Sequence, residues 1–279
     1  MRLTIHHETV YEYQRPVANS INEAWMRPLT DERQSCLSFR LTTAPASRPQ
    51  PYADYFGNTV YNFDIHEPHA RLEVVADAEV LTEALDYAAA LSADASPYDP
   101  HAVSDDRLLD FLAPTPLTPA GSLVRDLAGA VAIDGEPLSH LVSALATVVH
   151  RRLAYQIGST TVMTTAEEAL DQGLGVCQDY THVFLAACRL VGVPARYVSG
   201  YLSDGAASGQ GQASHAWPEA FLPGAGWIGF DVTNDCFPDE RYVRVAIGRD
   251  YADVPPLRGA FSGGAGSVPS VAVSVLGDQ

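Results

Sequence analysis

The hydrophobic period of this chain changes twice, and that pattern limits the fold more than any single motif. Up to about residue 84 the period is two. "RLTIHHETVYEY" alternates Leu3, Ile5, His7, Thr9 and Tyr11 against polar neighbours, and "DYFGNTVYNFDI" sets Gly57-Asn58 between aromatic-rich runs, a hairpin signal. "ARLEVVADAEVLT" supplies a further strand. Residues 1–84 are therefore expected to form a small all-β amino-terminal domain, sandwich-like or barrel-like. Residues 85–104, "LDYAAALSADASPYDPHAVS", read as a linker with room for a short helix. Helical patterning then takes over. "DDRLLDFLAP" and "GSLVRDLAGAVA" are short candidates, and "EPLSHLVSALATVVHRRLAY" puts Leu138, Leu141, Val142, Leu145, Val148 and Val149 on one face. In "TTAEEALDQ", Thr165 followed by Glu168 forms a capping-box pattern.

A longer helix begins in "GLGVCQDYTHVFLAACRLVGVP", with a stripe of Val176, Tyr180, Val183, Phe184, Ala187 and Val191, and Gly192 and Pro194 end it. The period then returns to two in "ARYVSGYL", "HAWPEAFL", "WIGFDVT" and "RYVRVAIG". Helices before antiparallel strands predict an α+β core over 105–262. Residues 263–279, ending in the alternating run "VAVSV", are left as a carboxy-terminal strand or tail.

Charge and cysteine usage exclude several functions. The net charge is −17, every basic residue is arginine, and no basic stripe is present, which argues against nucleic acid and anionic membranes as partners. No apolar run approaches the ~18 residues of a membrane span, and the amino end carries no apolar signal core, so a cytoplasmic protein is expected. The four cysteines contain no CxxC pair, so neither a zinc ribbon nor a disulfide scaffold is suggested. No DxDxDG calcium loop occurs, and Cys177, His182 and His215 lack metal-ligand spacing. No cofactor is implied.

Cys177 follows a glycine-rich turn and opens a helix, where unpaired N–H groups and the helix dipole favour a thiolate. Gly173 and Gly175 would leave room for a substrate backbone. The competing reading is a small apolar filler. Cys188 lies about three turns further on, ~16 Å along the axis, and reads as core. Cys36, in a β-module strand, and Cys236, in a loop, have no histidine arrangement beside them. Of nine histidines, His182 falls about 140° round the helix from Cys177 and cannot easily face it. His215 is different, because a hairpin brings Asp231 back towards it. Alternation puts His215, Trp217 and Glu219 on one strand face, and Trp227, Gly229 and Asp231 on one face of the next. A two- or four-residue turn in "PGAG" would set these faces opposite. A three-residue loop, or a bulge at Pro218, would bring them together, and the pattern alone leaves the choice open.

"GVCQDYTHVFLAACRLVGVPARYVSGYL", then "SHAWPEAFLPGAGWIGFDVTND" and "RYVRVAIGRDYADVPPLRG", resemble the bacterial transglutaminase-like cysteine protease family. The opening "RLTIHHETVYEYQRPV" is similar to the β-rich domain preceding that family's core. The resemblance implies a papain-like transglutaminase core, helices packed on an antiparallel sheet. It places the nucleophile at Cys177, the base at His215 and the orienting carboxylate at Asp231. Pro218 and Val232 depart from the family's pattern, since a residue with an N–H is usual at the first and a proline at the second.

The chemistry so implied is attack of a thiolate on an amide carbonyl, with a thioester left on Cys177. Gln178 and Tyr155 are candidate oxyanion donors beside the Cys177 N–H, and Gln178 reads equally as an exposed helix residue. Trp217 and Trp227 could wall a cleft, although packing explains them better. Asp179 has a structural reading as a first-turn carboxylate. Hydrolysis of a peptide or isopeptide bond is expected ahead of transfer to an amine, because nothing identifies an amine subsite. A non-catalytic scaffold retaining the fold is the other alternative. The expected partner is a peptide or protein substrate, and resemblance to components of peptide-modifying gene clusters makes such enzymes conceivable partners.

Overall fold

β1 (Arg2–Ala24) organises the molecule, because nearly all of it is paired and most of it on both edges. The computed structural model describes residues 1–93, 105–131, 137–203, 214–264, 267 and 269–277; linker residues 94–104, with His101, lie outside them. After β1 come β2 (Gln34–Ala44), β3 (Gln50–Ala53), β4 (Thr59–Ile65) and β5 (His69–Thr82). The alternation read in the sequence is the burial pattern of the first half of β1: Leu3, Ile5, His7 and Thr9 are buried while Arg2, Thr4 and His6 are exposed, and Val10 is buried as well. The Gly57-Asn58 signal is the β3–β4 hairpin, where Gly57 sits at φ 85° and the Asp54 carboxylate accepts the Phe56 and Asn58 N–H groups.

Helix α1 (Tyr87–Ala93) opens the linker, and a 3₁₀ turn spans Asp106–Phe111. Then follow α2 (Ser122–Gly129), α3 (Leu138–Arg152), β6 (Ala154–Tyr155), α4 (Ala166–Gln172), β7 (Leu174–Gly175) and α5 (Cys177–Leu190). The predicted capping box is present: Thr165 Oγ1 accepts the Glu168 N–H at 3.3 Å, and Glu168 accepts the Thr165 N–H at 2.8 Å. None of the described helices is long and apolar enough to cross a membrane.

β8 (Ala195–Leu202), β9 (Ser214–Leu222), β10 (Gly226–Gly229) and β11 (Tyr242–Gly248) form an antiparallel sheet in the order β10-β9-β8-β11. α5 packs on β9 and β8, buried on every side from Gln178 to Arg189, with α2, α3 and α4 around it. Phe184 and Leu185 are inaccessible, and burying each such side chain contributes roughly 1.5–3 kcal/mol. Helices on an antiparallel sheet, preceded by an all-β sheet domain, make the molecule α+β.

After a 3₁₀ turn at Tyr251–Asp253, β12 (Leu257–Gly263) and β13 (Ser270–Gly277) return to the amino-terminal sheet. β12 pairs with Val17–Ala24 and β13 with Leu3–Val10, completing a seven-stranded sheet. The sequence reading gave residues up to 262 to the core and the rest to a strand or tail. The structure pairs 257–263 and 270–277 with β1 because that strand's second edge would otherwise carry unpaired backbone groups. The two sheets meet in an apolar seam of Leu3, Ile5 and Val80 against Tyr201, Val243 and Val245.

Candidate active site

β6 and β7 pair in parallel and set the approach to α5. Gly173 ends α4 in the left-handed region at φ 66°. A Cβ on Gly175 would stand 2.6 Å from Asp179 Cβ, so glycine there admits the Asp179 side chain. Neither glycine is among the residues lining the cavity beside Cys177, and the roles visible in the structure are at the end of α4 and the start of α5. Asp179 accepts the Val176 N–H at 2.7 Å and the Thr160 hydroxyl at 2.6 Å, fixing the start of α5. Burial pushes its carboxyl above the ordinary range against those hydrogen bonds. Cys177 follows as the first helical residue, partly buried against the main core.

The parity question is answered by the β9–β10 loop. Leu222 pairs with Gly226, leaving residues 223–225 as a three-residue connection, and His215 and Asp231 fall on one side. No bulge occurs at Pro218; its register with Tyr197 is regular, and β9 is an inner strand. The Pro218 carbonyl accepts the Phe230 N–H just beyond the end of β10. The missing proline N–H faces that same edge, where the ladder has stopped, so no paired donor is lost. Val232 donates its N–H to the Phe230 carbonyl and accepts from His150 Nδ1 at 3.2 Å.

His215 Nε2 donates to Asp231 Oδ2 at 2.7 Å, and its remaining nitrogen, Nδ1, is the one left for Cys177, which lines the same cavity. Burial alone would lower the imidazole pKa, but the hydrogen bond to Asp231 and the charge on Cys177 outweigh it and raise it to about 10. Asp231 also accepts the Tyr242 hydroxyl and Asn234 Nδ2, each at 2.7 Å, and the N–H groups of Thr233 and Asn234 at 3.0 and 3.1 Å. Burial opposes its ionisation, yet these donors bring its pKa down to about 2. Sequence reasoning missed Tyr242 and Asn234. The second was legible: in "DVTN" the Asp231 side chain can accept the N–H groups two and three residues on, an Asx-turn pattern. Tyr242 arrives from β11, and no local signal marks it.

A cavity of about 280 Å³ opens beside Cys177 and His215. Gln178 lines it and is 8% exposed. Tyr155 does not; it is 51% exposed on β6, and burial and the Cys177 charge both push its phenol up. Neither Trp217 nor Trp227 is among the residues lining the cavity beside Cys177. Trp217, 1% exposed, stacks on His215 with centroids 6.0 Å apart and meets Tyr242 edge-on at 5.3 Å. Trp227 lies under the Arg196 guanidinium at 4.2 Å and against Phe111 at 5.2 Å. Cys188 is sealed in the core, and burial drives its thiol pKa upward. His182 is fully buried and neutral, its pKa pushed down to about 3 by burial, and Nε2 accepts the Tyr251 N–H. No group of three or more His, Cys, Asp or Glu suited to a metal occurs among the described residues.

Residues 3–81 match the bacterial transglutaminase-like N-terminal region, and residues 125–232 match the transglutaminase-like superfamily. Uncharacterised protein ML0607 of Mycobacterium leprae is 37% identical over 94% of both chains. Uncharacterised protein Rv2569c of Mycobacterium tuberculosis is 34% identical over 99% of this chain and 92% of its own. A crystal structure from Cytophaga hutchinsonii, described as a candidate cysteine protease, superposes with a TM-score of 0.80 at 24% identity, covering 100% of this chain and 92% of that one. With both matches in order along one chain, and relatives this similar over nearly its whole length, the protein belongs to the transglutaminase-like superfamily and carries the bacterial transglutaminase-like N-terminal region ahead of its core.

Proposed function

We propose that the protein is a thiol-dependent acyl-transfer enzyme that hydrolyses an amide bond through a thioester on Cys177. The observation that carries this reading is His215 beside Cys177 on one cavity, with Asp231 bonded to its other nitrogen at 2.7 Å. In the mechanism, Cys177 Sγ attacks the amide carbonyl carbon, and the oxyanion forms beside the Cys177 N–H and the Gln178 side chain. His215 Nδ1 gives its proton to the departing amine as the C–N bond breaks, and Asp231 steadies the ring through Nε2. His215, now neutral, takes a proton from water, whose oxygen attacks the thioester carbonyl. The carboxylic acid leaves and the thiol is restored.

Water is favoured over an amine as acceptor by the character of the cavity. No Asp or Glu is among the described residues lining it, so a lysine ammonium would find no counter-charge there. A retired scaffold is disfavoured by the five donors converging on Asp231, an arrangement with no packing purpose of its own. The test is hydrolysis of a quenched-peptide pool together with iodoacetamide labelling of Cys177 against pH. Cys177→Ala and His215→Ala should each abolish turnover with the fold intact, and His215→Ala should remove fast labelling at pH 5–6. Turnover by purified Cys177→Ala would sink the mechanism.

A further inference from the structure

Much of the wall facing Cys177 and His215 is built outside the core. β1 contributes His7, Thr9 and Tyr11, and Trp25 follows just beyond its end. The returning chain contributes Leu257 on β12, Pro269, and Val271 on β13. This wall is fixed in place. His7 Nδ1 hydrogen-bonds Tyr201 Oη at 2.8 Å, its Nε2 hydrogen-bonds Thr9 Oγ1 at 3.1 Å, and the rings of His7 and Tyr201 meet edge-on at 5.6 Å. The apolar seam between the sheets lies beside that bond.

The lining is uncharged to a degree its chain is not. Charged residues make up 18% of the sequence, yet no Asp, Glu or Arg lines the cavity among the described residues, and the chain has no lysine. Tyr11, Trp25, Tyr251, Leu257 and Val271 offer aromatic and aliphatic faces instead. An ionised side chain entering here would lose its hydration and meet no charge beyond the Cys177–His215 pair, whereas an apolar one would gain by leaving water. The acyl group occupies the site through both halves of the reaction, joined to sulfur as C–N breaks and released as water adds, while the amine must leave and water must enter. The walled space is thus better suited to the part that stays.

Resting on the thiol acyl-transfer reading above, we propose that the amino-terminal sheet and the strands returning to it form the acyl-side specificity pocket. It selects substrates whose side chain beside the attacked carbonyl is an uncharged aromatic or branched aliphatic group. The sheet domain is then part of the active site and not an appended module.

The test uses N-acyl aminoacyl chloromethyl ketones, in which Cys177 Sγ displaces chloride from the methylene carbon, forming C–S as C–Cl breaks. Labelling rates are read by peptide mass spectrometry and divided by each protein's iodoacetamide rate. Phenylalanyl and leucyl reagents should label the full-length protein at least about tenfold faster than aspartyl or arginyl reagents. Val271 is 49% exposed on β13, so a charged head group placed there can reach water and the fold is retained, as a thermal melt checks. After division by each variant's own iodoacetamide rate, Val271→Glu should bring the arginyl reagent up towards the phenylalanyl one and Val271→Arg the aspartyl reagent. Equal rates across the four reagents, or a Val271→Glu protein that keeps the wild-type order, overturns the pocket assignment. The activated-thiol reading is judged separately, by whether iodoacetamide labelling depends on His215. Losing that dependence leaves the reagent order free to report on the pocket.

Discussion

Asp231 gathers more partners than any other side chain near Cys177, and its neighbours fix the pH window of the site. His215 is raised to about 10 from 6.5, so its contribution to stability is complete below 6.5 and is lost as pH climbs through 10. Asp231 is lowered to about 2 from 3.8, so its contribution is present above 3.8 and is lost as pH falls through 2. Tyr242→Phe removes one hydroxyl donor and leaves the ring against Trp217 and His215. We expect its unfolding free energy in urea to fall by about 1 kcal/mol, and the acid limb of Cys177 labelling to move to higher pH as Asp231 becomes easier to protonate. An unchanged labelling profile would mean that Asp231 holds His215 without help from β11. Cys177, His215 and Asp231 were legible in the sequence because each stands in a local motif. Tyr242 was not, because it reaches Asp231 from a separate strand.

Elements whose signals are local were readable in advance, and elements defined by their partners were not. α3, α4 and α5 announce themselves by stripe and cap, so a helix's start and inner face follow from a dozen residues. β12 carries no comparable mark: "LRGAFSG" lies largely exposed and becomes a strand only because β1 offers an edge. The β9–β10 parity was undecidable for a similar reason, since one loop residue more or less reverses a face. Two substitutions test the elements that aim Cys177. Thr165→Ala breaks the α4 capping box and should cost about 1 kcal/mol in a thermal or urea melt, without slowing iodoacetamide labelling. Gly175→Ala forces its new methyl against Asp179. It should cost about 1–3 kcal/mol and slow labelling as well, because the start of α5 must shift. Equal labelling in both variants would show that Cys177 reactivity tolerates movement of the helix start.

Across the whole molecule the sheet–sheet seam makes stability depend on acid and on the returning strands. Burial, with a smaller push from the His6 charge, lowers His7 to about 4 from 6.5. The unfolded chain therefore takes up a proton first, and folding weakens as pH falls from 6.5 towards 4, by about 1.4 kcal/mol per pH unit. His182, lowered to about 3, adds a like slope. His7→Gln should remove one such increment from the pH dependence of the urea midpoint between 6 and 4.5, and an unaltered slope would refute the assignment. Val273 and Val275 are buried in the seam, and deleting residues 265–279 also unpairs Leu3–Val10 along one edge. The loss should rival the 5–15 kcal/mol that holds a typical domain together, so the truncated chain should lose its cooperative melt. A truncated chain melting as the parent does would show that β13 is dispensable.

Because Leu3 pairs with Gly277, β1 is completed by a strand that comes far later along the chain. A nascent chain that has reached residue 250 already contains Cys177, His215 and Asp231, yet the strand bearing Val271 has not been made. The returning strands thus set an order on folding: the thiol is made before the strands that enclose it, and its enclosure waits for pairing across a long stretch of chain.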